Sequence, residues 1–265
     1  MPVRMPILWF VATVLLCLGA GPAASNALKR PYDVPDSQFE IGSFLIYQKG
    51  PSGLAEMGTF TPIKWTKFVS DSLDLKFEGS FSYSWQRGSS WRSFTAAPGF
   101  RYWIDGSTNV TPFVRVGFAR AQPGGATLFA YGADIMLQRT FTLDPQVDDG
   151  THRFIVAETQ AGFMTYVLWG TRFWTRHGFV AATTAYDWPI WQASWNAEHR
   201  NRAKIGFGFE TRFDPGGRVG WLFLAALSLR SEHPDNGRLI RKVDISAAVG
   251  MKGQHRLSVG FTHGF

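Results

Sequence analysis

The chain is nearly free of cysteine. Cys17 is the one thiol in 265 residues, so no disulfide can close within the chain and packing must hold the fold. Long apolar runs are scarce too. Ile7–Leu18 is the longest, and it falls short of the roughly 20 residues that a membrane-spanning helix needs. Motifs for bound groups are also missing: there is no phosphate loop, no dinucleotide fingerprint and no His/Cys pair at metal-ligand spacing. No cofactor and no metal are therefore expected. Charge is sparse, at 18% of residues, and tilted to the basic side by +7. A basic balance can suit nucleic acid. The export signal described next removes that partner, and anionic lipid head groups become the simpler counter-charge.

Arg4, the apolar stretch Ile7–Leu18 and the small residues Gly19, Ala20, Gly21, Ala23, Ala24 and Ser25 have the anatomy of a cleaved secretory signal. Residues 1–25 are assigned to it, with cleavage after Ser25 and Ala24 as the rival position; an uncleaved N-terminal anchor is the competing reading. Leu16 stands where a lipoprotein signal needs a small residue, so Cys17 is not expected to be lipidated. Residues 26–38, with Pro31 and Pro35 among charged residues, read as a short leader or a small plug. Residues 39–265 are assigned to one domain.

What the chain has in abundance is aromatic side chains and glycine: 23 Phe, 11 Trp, 7 Tyr and 28 Gly. Mean hydropathy is nevertheless close to zero, at −0.09. Alternation reconciles the two, because a strand places successive side chains on opposite faces. In the final stretch Leu257, Val259, Phe261 and Phe265 share one face with His263, while Arg256, Ser258, Gly260, Thr262 and Gly264 share the other. The run LSVGFTHGF, from Leu257 to Phe265, resembles the C-terminal insertion signal of bacterial outer-membrane β-barrels, which commonly end on Phe. That resemblance implies an outer-membrane location in a Gram-negative cell. It also implies membrane lipid and lipopolysaccharide as surroundings, and the barrel-assembly machinery as a partner.

The interior of the chain repeats the pattern. Leu73, Leu75, Phe77, Phe81, Tyr83 and Trp85 alternate with Asp74, Lys76, Glu78, Ser80, Ser82, Ser84 and Gln86. This period of two fits neither a helix nor the core of a sandwich. It fits a strand with lipid on one side and a watery lumen on the other. Similar alternation marks 39–48, 57–65, 94–104, 110–118, 129–138, 205–213 and 243–250, while the run 219–229 is apolar on both faces. In the first of these, Phe44 and Ile46 interrupt the polar face. Residues 152–187 hold two long strands or three short ones, and Asp187–Arg200 reads as a loop near an interface. The expected fold is all-β: a closed antiparallel transmembrane barrel of about twelve strands, within a range of ten to fourteen. That size resembles a solitary autotransporter-like barrel without a passenger. One feature resists the layout. If the chain ends in the periplasm, the short connections 214–217 and 252–254 lie outside and 231–237 lies inside, the reverse of the usual arrangement.

Candidate functional residues follow from the faces. Asp74, Lys76, Glu78, Arg101, Arg115, Asp134, Lys204, Glu210, Arg212, Lys242 and Asp244 are expected to face the lumen. Their mixed sign suggests a salt-bridged filling of a narrow barrel, with a selective pore as the other reading. Among the histidines, His177 is the best lone candidate for catalysis. His152 and His233 lie beside Asp148, Asp149, Glu232 and Asp235, and read as solvated loop residues. No Ser or carboxylate stands at a spacing that marks a triad, so no catalytic residue is assigned. The expected role is structural, translocator-like or a narrow channel. A barrel enzyme acting on lipid A or phospholipid is one alternative. A secreted soluble barrel or sandwich is the other, and it would require an oily interior.

Overall fold

The computed structural model describes residues 37–49, 55–86, 88–143, 152–190, 199–213, 219–234 and 237–265. The signal assignment and most of the leader lie outside these residues. Twelve strands follow one another: β1 (Ser37–Lys49), β2 (Ala55–Ser70), β3 (Leu73–Gln86), β4 (Ser89–Trp103), β5 (Thr108–Gln122), β6 (Thr127–Thr142), β7 (Phe154–Leu168), β8 (Trp174–Pro189), β9 (Arg200–Phe213), β10 (Val219–Glu232), β11 (Leu239–Gly250) and β12 (His255–Gly264). A 3-10 turn, Met251–Gly253, joins the last two. Each strand pairs antiparallel with its sequence neighbours, and β1 pairs with β12, so the sheet is a closed barrel.

Closure satisfies every strand edge, which a sheet in hydrocarbon requires. The β1–β12 seam runs from Glu40 opposite Gly264 to Lys49 opposite His255. Beyond it Phe39 N–H donates to the Phe265 carbonyl (3.3 Å) and Phe265 N–H to the Phe39 carbonyl (2.8 Å). The terminal Phe265 is therefore stitched to the first strand, and its ring lies 6.1 Å from that of Phe39.

Large apolar side chains on the outer face remain exposed on all twelve strands: Leu45, Phe81, Val114, Ile135, Phe223 and Val259 are examples, with Phe81 at 52%. An apolar surface this continuous belongs in lipid rather than water. The inner face is polar, with Asp74, Asp134, Asp187 and Arg202 among its buried groups. A soluble barrel with an oily interior is thereby excluded.

Residues 152–187 resolve into two long strands. Asp187 and Trp188 belong to β8, not to the expected loop, and β9 begins at Arg200; residues 191–198 lie outside the described residues. Likewise Ser231 and Glu232 close β10 rather than open a connection. The strand assignments otherwise stand, so the gathering of the longest connections at one end is a property of the barrel. The intervals at the end that carries both termini are 71–72, 104–107, 143–153, 190–199 and 233–238. Those at the far end are uniformly short: 50–54, 87–88, 123–126, 169–173, 214–218 and 251–254.

Candidate functional site

Pleating alone decides what faces the lumen: the residues that alternate with the exposed apolar row. Registers then set them side by side. Glu40 of β1 is opposite Lys64 of β2, and Lys64 is opposite Glu78 of β3. Glu78 reaches past β4, where the small Ala97 stands, to Arg115 of β5 at 3.8 Å. Arg115 Nε donates to Asp134 Oδ2, and its Nη2 to Asp134 Oδ1 at 3.2 Å. Gln160 of β7 adds a third bond to Asp134, at 2.6 Å. Acid and base thus alternate along a belt from β1 to β6, which the neutral Gln160 continues onto β7. Small residues make the room: a Cβ on Gly162 would sit 2.4 Å from Asp134 Cβ.

A second belt covers the remaining wall. Asp187 of β8 binds Arg202 of β9 and Arg230 of β10, each at 2.8 Å. Arg202 is 2% exposed; its Nη2 donates to the His152 carbonyl at 2.7 Å, and its guanidinium lies over the Phe154 ring. Arg230 also meets Glu232. Arg202 and Arg230 stand directly opposite one another in the register. Two like charges facing each other destabilise a sheet, and Asp187 neutralises this pair. On β11, Lys242 bonds Asp244 at 2.9 Å.

The other residues expected at the lumen fall in smaller groups. Asp74 is fully buried and accepts from Arg101 Nε (2.6 Å) and Trp103 Nε1 (3.0 Å) near the terminal end. Glu210 and Arg212 pair at 2.5 Å toward the far end. Lys76 and Lys204 sit at inward positions of β3 and β9. Sequence reasoning missed Glu40, Lys64, Glu158, Gln160, Asp187, Arg202 and Arg230. For Glu40 and Lys64 the signal existed, since each sits on the polar parity of its strand.

These ion pairs join the same strand, adjacent strands or next-adjacent strands. Among the described residues none links opposite walls. Cavities remain between them: about 310 Å³ around Lys64, Glu78, Arg115 and Lys242; about 320 Å³ around Lys204, Arg230, Lys242 and Asp244; and about 560 Å³ beside His177. Each has room for several waters. Lys242 borders the first two. Lys64 stands in the lumen and is still exposed.

Among the described residues the histidines do not converge on a nucleophile. His177 faces the lumen beside Tyr166, with its Nε2 3.2 Å from Thr175 Oγ1. His199 and His233 approach edge to face, ring centroids 6.1 Å apart, at the terminal rim. Asp148, Asp149 and Asp235 lie outside the described residues. Among the described residues, no group of three or more His, Cys, Asp or Glu could hold a metal ion.

Solved structures with the same architecture place this geometry. The β domain of the Bordetella autotransporter BrkA matches with a TM-score of 0.66 at 11% identity, over 87% of this chain and 100% of that one. The fold is that of bacterial outer-membrane β-barrels. The translocator domain of the autotransporter NalP from Neisseria meningitidis gives 0.54 at 10% identity, over 98% and 95%. LpxR from Salmonella typhimurium gives 0.52 at 8% identity, over 85% and 99%. No protein-family model and no curated protein matches the chain. At such identities the likeness concerns the fold, and the lumen chemistry must be argued from this barrel's own residues.

Proposed function

We propose that this outer-membrane barrel is a narrow, water-filled channel whose lumen carries paired charges of both signs. One observation carries the reading: the ion pairs run along the wall between near-neighbour strands, and several hundred cubic ångströms of polar cavity lie between them. A filled barrel would instead have its charges bridging opposite walls. Twelve strands fall between the eight that side chains can fill and the sixteen or more of open porins. Small ions and polar solutes are the cargo that such a bore fits. A translocator-like role needs space for an extended polypeptide, and Lys64, Arg115 and Lys242 stand in that path.

The test is conductance of the folded barrel in planar bilayers. Small, steady openings with weak ion selectivity are expected. Lys242→Ala, which removes the side chain between two cavities, should raise the conductance. Silence of both wild type and variant across the voltage range would overturn the channel in favour of a structural barrel.

A further inference from the structure

We infer that the outer surface at the far end of the barrel binds the phosphate group of a membrane lipid, held between Arg92 and Arg120. The inference rests on the barrel standing in a membrane and is independent of whether the lumen conducts. Arg92 of β4 and Arg120 of β5 are directly opposite in the register. Both belong to the outward row, and both are exposed. Like charges at such a position repel, and a cation on the lipid face costs free energy unless it lies near the interface. Asp187 relieves the comparable pair in the lumen, but here no described carboxylate does so. The carboxylates of strand residues at this end, Glu56 and Glu210, face inward, where Gln48 and Arg212 meet them. Arg176 of β8, on the outward row with its guanidinium over the Phe163 ring, adds to the basic character of this end.

The surroundings match an amphiphile. Tyr83 is opposite Arg92, whose guanidinium lies 5.8 Å from the ring centroid. Trp85 and Trp169 are exposed at the same end, as in an interfacial aromatic girdle. Two residues deeper on each strand lies a continuous aromatic row: Phe81 opposite Phe94, Phe94 opposite Phe118, and Phe118 opposite Phe129. Ring centroids along it are 4.9 and 5.8 Å apart for the first two pairs. A phosphate between the guanidiniums would accept forked hydrogen bonds from both, and acyl chains would lie down along the phenylalanines. Charge complementarity thus selects a phosphorylated lipid of the leaflet at this end.

Native mass spectrometry of the full-length protein, extracted from membranes in mild detergent, tests this. The wild type should retain a phosphorylated lipid. In R92Q/R120Q retention should fall about a hundredfold, about tenfold for each guanidinium removed. R92K should be intermediate, because lysine keeps the charge without the fork. Lys67→Gln, on the outer face toward the terminal end, should match the wild type. Heat-dependent gel mobility establishes that each variant is folded; should the double variant fail to fold, R92Q and R120Q singly carry the comparison. The inference is overturned if the wild type retains no phosphorylated lipid or if folded arginine variants retain as much as the wild type. It is equally overturned if inorganic phosphate alone displaces the lipid, which would mark a free-anion site.

Discussion

Barrel closure depends on an aromatic ring seated on a glycine at the seam. Phe44 of β1 faces the lumen opposite Gly260 of β12. A Cβ built on Gly260 would lie 2.0, 2.3 and 2.4 Å from three atoms of the Phe44 ring. The same ring lies 2.9 Å from the Cβ position of Gly42 and meets Phe60 edge-on at 6.2 Å. Gly260→Ala must therefore drive the ring from its place, an overpacking cost of about 1–3 kcal/mol. Phe44→Ala removes a half-buried ring, so its cost should be about half of the ~3–5 kcal/mol for a fully buried one. In the double variant the methyl at position 260 no longer meets a ring. The two effects should then couple, with the double variant about 1–2 kcal/mol more stable than the sum of the singles implies. The assay is urea unfolding of the four proteins refolded into lipid vesicles, followed by tryptophan fluorescence. Simple additivity would refute the reasoning, since it would mean that the ring and the glycine do not touch.

Other predictions concern the lumen, the outer face and one turn. Asp187→Ala should destabilise by about 3–5 kcal/mol, because it leaves the buried Arg202 without its carboxylate and directly opposite Arg230; replacing Asp187 and Arg202 together by Leu and Met should recover most of the loss in the same urea assay. Phe261→Asp, on the outer face between Val243 and Ser43, should block assembly, measured as protease-resistant barrel in the outer-membrane fraction. Ser258→Ala, which loses only the 2.7 Å bond to Ser246 in the lumen, should assemble at about 1 kcal/mol less stability. In the β4–β5 turn, partial burial pushes the Asp105 carboxyl up. Hydrogen bonds from Ser107 and Thr108 outweigh it and hold the group below its ordinary 3.8. The ionised form is therefore favoured by folding, and its stabilisation is present above 3.8 and lost as the pH falls through the lower folded value. Unfolding midpoints of wild type and Asp105→Ala should converge in that acid range and separate at neutral pH.

How much of this could be read in the sequence depended on side-chain size at the lipid face. The faces of β3 and β12 were legible because large apolar residues alternate with polar ones without a break. Residues 152–187 were not, because small and polar residues interrupt the outward rows there. Ala157, Thr159 and Ala161 on β7, with Arg176, Gly178, Ala182 and Thr184 on β8, separate the larger apolar residues such as Phe163 and Trp174. Strand ends extended past the expected limits, as at Ser89–Ser93 and Arg200–Ala203, because a strand that leaves the hydrocarbon keeps its backbone pairs without needing oily side chains. The Asp187 cluster was invisible, since Arg202 and Arg230 reach it only through a register that three strands define. Phe44 stood out as an aromatic on the polar face, but the glycine that accommodates it lies at the other end of the chain.

The central claim is that the even-numbered face of β2 and β3 meets water inside a membrane barrel while the odd-numbered face meets lipid. Single cysteines test it directly, with Cys17 replaced by Ser to leave a thiol-free background. Lys64→Cys, Ser82→Cys, Leu75→Cys and Phe81→Cys are to be challenged in the folded, membrane-embedded barrel with a charged, membrane-impermeant thiol reagent. The account predicts modification at positions 64 and 82 and protection at 75 and 81. Protection at all four would contradict an open lumen, and modification at 75 and 81 with protection at 64 and 82 would contradict the assignment of the two faces.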